Sequence, residues 1–212
     1  TLCFQGPEED LKLTANTQPA ILTTSIAALR VIQGERELFP AVAAGHSLGE
    51  YGALVASGGL RFADAVRLVH LRGKFMQEAV PVSVGAMAAI IGMTGPEVEA
   101  LCQDAAQGEV LAPANYNSPG QVTIAGHRTA VNRAVAIVSQ QAGRKAVLLP
   151  VSAPFHCALL KPAAERLKEE LAKVEVGDLR IPVLSNAEAD FYPGKNKIGE
   201  LLFKQIDHPV RW

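Results

Sequence analysis

The chain has 212 residues, with 20 Lys and Arg against 21 Asp and Glu, a net charge of −1, and 49% hydrophobic side chains. That content is too apolar for a disordered chain and long enough to bury a core, and Lys and Arg spread along the sequence make no basic face for a nucleic-acid backbone. The cysteines Cys3, Cys102 and Cys157 lie far apart without C-x-x-C spacing, and the longest nearly apolar run, residues 85–93, is too short to span a bilayer; a cytoplasmic protein with no disulfide framework, metal site or membrane anchor is expected.

The chain begins at Thr1 rather than Met, so an upstream segment is expected to be missing, and FQGP at residues 4–7 resembles a protease-tag scar. From residue 18 to 29, QPAILTTSIAAL places apolar residues at helical spacing behind an early proline and predicts a helix. FPAVAA at 39–44 has the length and polarity of a strand, and GEYGALVASGG at 49–59 reads as a helix stopped by Gly58 and Gly59. Between them lies GHSLGEY at 45–51, a match to G-x-S-x-G. Chance alone places such a match in roughly one chain of this composition in twenty. Strand, tight turn and helix are nevertheless the context in which that motif exposes a serine hydroxyl, which makes Ser47 the candidate nucleophile.

Residues 62–80, FADAVRLVHLRGKFMQEAV, gather Asp64, Arg67, His70, Lys74, Gln77 and Glu78 on one side of a helical wheel and a broad apolar arc on the other. Arg72 falls in the middle of that arc. A buried guanidinium needs an anion or a route to water, so Arg72 reads either as a structural ion pair or snorkelling side chain, or as a planar fork for a substrate carboxylate.

From 85 to 151 the predicted order is strand, helix, strand, strand, helix, strand, a βαββαβ ferredoxin-like unit with a turn at NSPG. The tail reads as an amphipathic helix at 158–174, a strand in IPVLSNAEA at 181–189 and a helix in IGELLFKQID at 198–207. The expected fold class is α/β: an α/β-hydrolase-like core with a parallel sheet, formed by residues 1–82 and 152–212, carrying an inserted ferredoxin-like subdomain at 83–151.

A serine hydroxyl needs a neighbouring base, and histidine suits neutral pH. His70 and His127 are expected to be solvated surface residues, His46 beside Ser47 to brace the turn, and His208 has only its position near the chain end. His156, in VSAPFHC, follows the last strand of the inserted unit, where catalytic groups commonly project. No acid partner is evident, since Asp64 borders a polar helix face and Asp104 lies in the insert. A dyad oriented by a backbone oxygen and a triad both remain open.

GHSLGEY, RGKFMQ around Arg72, ANYNSPGQVTIAG and VSAPFHC, in that order, resemble the malonyl-CoA:acyl carrier protein transacylase family of bacterial fatty acid synthesis. The resemblance covers essentially the whole chain. It implies Ser47 as acyl-accepting nucleophile, His156 as general base, Arg72 as clamp on the malonyl carboxylate, and Gln205 in KQIDHPVRW as the residue whose carbonyl orients the histidine. It also implies the Leu48 N–H as an oxyanion donor, Phe155 as a ring crowding out α-branched acyl groups, and Asn117 and Gln121 as coenzyme A contacts. The implied reaction passes malonyl from malonyl-CoA through a serine ester to the phosphopantetheine thiol of acyl carrier protein. It needs no bound cofactor and no metal, and a monomer is expected. The family's first strand with its GQGSQ loop and its last strand and helix have no counterpart here, so the chain reads as truncated at both ends. The rival readings are a serine hydrolase, either a thioesterase or a patatin-like lipase, and an inactive fragment that only binds carrier protein.

Overall fold

The computed structural model is a mixed α/β protein, described at residues 2–151 and 153–212. In chain order run α1 (Leu2–Gln5), α2 (Glu8–Lys12), α3 (Thr14–Glu35), α4 (Gly49–Ser57) and α5 (Phe62–Ala79). Next come β1 (Gly85–Ile91), α6 (Gly95–Ala106), β2 (Leu111–Ser118), β3 (Gln121–His127), α7 (Arg128–Ser139) and β4 (Lys145–Leu148). Last are α8 (Lys161–Leu171), β5 (Leu184–Ser185), β6 (Asp190–Phe191), α9 (Ile198–Asp207) and β7 (Val210–Arg211). Among the described residues no helix is long and apolar enough to cross a membrane.

The chain forms two compact units, Thr1–Phe75 with Arg166–Phe203, and Met76–Glu165 with Lys204–Trp212. These bounds differ from the expected segments, because the stretches after β4 and at the chain end pack with the sheet. Cys157 and Phe155 join Met87, Ala114 and Ala125 in one apolar cluster, and β7 pairs in parallel with β2. Thr1 and Ser152, where two expected segments begin, lie outside the described residues.

In the first unit, α3 starts earlier and ends later than its apolar pattern, and it carries Pro19 in its interior. Proline has no N–H to give the carbonyl four residues back. The Ala15 carbonyl instead accepts a hydrogen bond from His70 Nδ1 at 2.8 Å, so His70, expected to be merely solvated, braces α3 at its proline. That partner is 55 residues away in sequence, beyond the reach of a helical wheel. Gly73, one turn further along α5, allows the approach: a Cβ there would sit 2.4 Å from the Thr14 carbonyl oxygen.

The strand expected at 39–44 is not formed; only Ala43 makes a bridge, in parallel with Val183. Ala43 N–H donates to the Pro182 carbonyl at 2.8 Å and Leu184 N–H donates to the Ala43 carbonyl at 3.1 Å. Pro40 and Pro182 lack the N–H groups that would lengthen the ladder. The tail segment likewise shortens to β5, which turns back on β6 in an antiparallel pair.

In the second unit the sheet order is β4-β1-β3-β2-β7, antiparallel except at the β2–β7 edge. Ala88, Ile90, Val122 and Ile124 from the strands pack with Val98, Leu101, Ala130, Val131, Ala134 and Val138 of α6 and α7. His127 is only half-buried, yet its Nδ1 accepts the Val110 N–H at 2.9 Å. It therefore ties the approach to β2 onto the end of β3 rather than standing free in solvent.

Candidate active site

Ser47 lies in the turn that opens α4, with φ +52, a left-handed conformation that costs a residue with a Cβ about 1–3 kcal/mol and persists only where its surroundings impose it. Gly45 shows how tight the turn is, since a Cβ there would lie 2.1 Å from the Gly49 carbonyl carbon and oxygen. The first glycine of G-x-S-x-G is thus a steric requirement, because backbone 45 passes directly against backbone 49, whereas a Cβ on Gly49 would meet nothing within 4 Å. Gly49 N–H donates to the His46 carbonyl at 2.9 Å and Glu50 N–H to the Ser47 carbonyl at 3.2 Å, so the helix begins immediately after the serine. Leu48 occupies the N-cap of α4, where backbone N–H groups have no intrahelical acceptor and a developing anion is favoured. His46 is exposed on the same turn.

Arg72 is 2% exposed, in keeping with its place on the apolar arc of α5. Its Nη2 donates to Ser47 Oγ at 3.0 Å, its Nη1 donates to Gln18 Oε1 at 2.7 Å, and its Cζ lies 5.7 Å from the Tyr51 ring centroid. Burial pulls the guanidinium's pKa down, opposed by the Tyr51 and Glu50 oxygens. Gln18 is itself buried and is held by its Nε2 donating to Thr14 Oγ1 at 3.0 Å. Sequence reading missed Gln18, although it shares a helix face with buried Leu22 and Ile26 and the wheel test that isolates Arg72 would have isolated it too.

Two further polar residues behind the elbow were also missed. Glu50 is 0% exposed and accepts hydrogen bonds from the Tyr192 hydroxyl and, at 3.1 Å, from the Asn186 N–H. Burial, followed by the Glu50 carboxylate, raises the Tyr192 pKa, so this phenol stays a donor. The available signals were an acidic residue in an otherwise apolar helix and a Ser-Asn pair ending an apolar run.

In the second unit, His156 is 3% exposed with φ +58. Its Nδ1 lies 2.8 Å from the backbone carbonyl oxygen of Gln205, which is fully buried. A carbonyl only accepts, so Nδ1 carries the hydrogen and, in the neutral ring, Nε2 carries the lone pair of a base. Phe155, half-buried, packs against the Met87, Ala114, Ala125 and Cys157 cluster. Asn117 and Gln121 belong to the β2–β3 hairpin. Asn117 donates from Nδ2 to Thr123 Oγ1 at 3.3 Å and lines a cavity of about 610 Å³ with Thr94, Tyr116 and Trp212, whereas Gln121 is exposed at the first position of β3. Within the first unit the fold therefore gathers His46, Ser47, Leu48 and Arg72; within the second it joins His156 to Gln205. Among the described residues no group of three or more His, Cys, Asp or Glu is arranged to hold a metal ion.

The acyl transferase domain family matches residues 2–211. The malonyl CoA-acyl carrier protein transacylase of Escherichia coli K12 is 51% identical over 211 residues, covering 100% of this chain and 68% of the relative. Among solved structures, the malonyl CoA-acyl carrier protein transacylase of Coxiella burnetii aligns with a TM-score of 0.96 at 47% identity, over 100% of this chain and 67% of that one. A malonyl-transacylase in complex with its type II PKS acyl-carrier protein aligns with a TM-score of 0.95 at 47% identity, over 100% of this chain and 68% of that one.

Proposed function

The chain belongs to the acyl transferase domain family, and on that premise we propose that it moves a malonyl group from malonyl-CoA to the phosphopantetheine thiol of acyl carrier protein through an ester on Ser47. The observation that carries the reading is the buried Arg72 donating to Ser47 Oγ at 3.0 Å. A guanidinium that close to the acylated oxygen meets a carboxylate one methylene beyond the ester carbonyl, and its planar fork suits that anion.

In the first half-reaction Ser47 Oγ bonds to the thioester carbonyl carbon while its proton passes to His156 Nε2. The tetrahedral oxyanion is met by the Leu48 N–H. Collapse breaks the carbon–sulfur bond, and the coenzyme A sulfur leaves with the proton returned by the imidazolium. In the second, the carrier thiol gives its proton to His156, its sulfur bonds to the ester carbon, and Ser47 leaves reprotonated. Gln205 holds the histidine, through its backbone carbonyl, in the tautomer both halves need. Phe155 limits branching of the acyl chain, His46 braces the turn, and Asn117 and Gln121 contact coenzyme A. The β1–β4 unit is read as a ferredoxin-like subdomain on its strand order β4-β1-β3-β2, and the rest as an α/β-hydrolase-like core. The reading needs no metal or resident cofactor and describes a cytoplasmic monomer.

Incubating the chain with malonyl-CoA and weighing the intact protein tests it. A malonyl adduct that is absent in Ser47→Ala and is discharged by the thiol of carrier protein is the expected result. Rapid release of free malonate without the carrier would make the protein a hydrolase, and no adduct on the unsubstituted chain would remove the enzymatic reading.

A further inference from the structure

Asn186, which follows β5 and is 3% exposed, places both ends of its side-chain amide on the turn that carries Ser47. The Ser47 N–H donates to Asn186 Oδ1 at 2.6 Å, and Asn186 Nδ2 donates to the Gly45 carbonyl at 2.9 Å. One side chain thus pairs with backbone groups two residues apart, as a neighbouring strand would. Asn186 is fixed in turn by its own N–H, which donates to Glu50 Oε2 at 3.1 Å, and Glu50 is held by the Tyr192 hydroxyl. The chain of contacts starts and ends on the elbow, since Glu50 lies in the first turn of α4.

We propose that Asn186 is a positioning residue for the nucleophile: it holds Ser47 in its left-handed conformation, thereby aiming Oγ, and occupies the Ser47 N–H so that the Leu48 N–H is the elbow's oxyanion donor. This rests on the acyl-transfer reading above. The backbone at Ser47 would otherwise relax toward negative φ, swinging Oγ away from its direction of attack. A misplacement on the order of 1 Å in a reacting group costs roughly 100-fold in rate.

The test measures Ser47 labelling in the full chain by two reagents, malonyl-CoA and a fluorophosphonate, whose phosphorus bonds to Oγ as fluoride leaves. For Asn186→Ala we expect the labelling rate constant to fall about 100-fold with both reagents. The KM for malonyl-CoA and the final label per folded protein should be unchanged. Asn186→Asp keeps an acceptor for the Ser47 N–H while losing the donor to Gly45, and should fall between the two. Equal rate constants in all three proteins overturn the proposal. So does slow labelling in Asn186→Ala that only tracks an unfolded fraction seen by circular dichroism, or an Asp variant no faster than Ala. Should the unsubstituted chain take the fluorophosphonate but not malonyl-CoA, the donor assignment fails, and the ratio of fluorophosphonate rates still decides for or against Asn186.

Discussion

At the scale of single residues, Arg72 carries the sharpest chemical prediction. Its two terminal nitrogens hold Gln18 and Ser47, and a malonyl carboxylate would take over such contacts. A hydrogen bond to a charged group contributes about 1.5–3 kcal/mol, so Arg72→Ala should lose on the order of 10- to 100-fold in kcat/KM for malonyl-CoA. Acetyl-CoA lacks the carboxylate, and its slow transfer should change far less. Equal loss for both acyl groups would return Arg72 to the structural role. Arg72→Lys should not restore the malonyl rate, because a single ammonium cannot span two partners with a planar fork. The placing of Arg72 was legible in the sequence because a cation on an apolar helical arc is a local anomaly. Its partner Gln18 is 54 residues away, and nothing in the spacing of either residue names the other.

Among the elements, α3 shows how a helix tolerates a defect through a neighbour. Pro19 leaves the Ala15 carbonyl without its intrahelical donor, and His70 supplies one from α5. Replacing His70 by Ala should lower the unfolding free energy by about 1 kcal/mol, the net contribution of one hydrogen bond. Pro19→Ala restores an N–H at position 19, so the loss from His70→Ala should shrink in that background. Urea denaturation of the two single variants and the double variant measures the coupling. Strict additivity would show that His70 does not substitute for the missing amide. Helical spacing places α5, and the Gly58-Gly59 stop places α4, within a few residues of their observed bounds. Length and polarity alone predict a strand at 39–44, and its two-proline surroundings reduce it to one bridge. A two-residue strand such as β7 has no period to detect, and it exists because β2 offers an open edge.

For the molecule as a whole, alkaline pH tests how its buried acids support folding. In the second unit, burial pushes the Cys102 thiol up to about 12 and the Cys157 thiol up to about 11, from an ordinary value of 9.0. The buried Tyr51 and Tyr192 hydroxyls shift in the same direction. An unfolded chain releases these protons first, so it binds fewer of them above pH 9. The stabilisation these groups contribute is therefore fully present below about pH 9, declines above it, and is lost as pH rises through 11 to 12. Thermal melts from pH 8 to 11 should show that decline, and a Cys102→Ala, Cys157→Ala double variant should flatten it. Iodoacetamide at pH 8 should modify only exposed Cys3 in the folded protein, as read by peptide mass. An unchanged melting temperature over that range would contradict the burial argument. The sequence by itself determined the features set by short-range spacing: the G-x-S-x-G turn, the arc that singles out Arg72, and the βαββαβ order of the central segment. The resemblance added the pairing of His156 with Gln205. Only the tertiary structure decided that Asn186, 139 residues from Ser47, holds the turn, that His70 repairs α3, and that the stretches at 153–165 and 204–212 pack with the sheet. These contacts join residues far apart in the chain, and hydrogen bonds between distant side chains and backbone leave no periodic trace in composition or spacing.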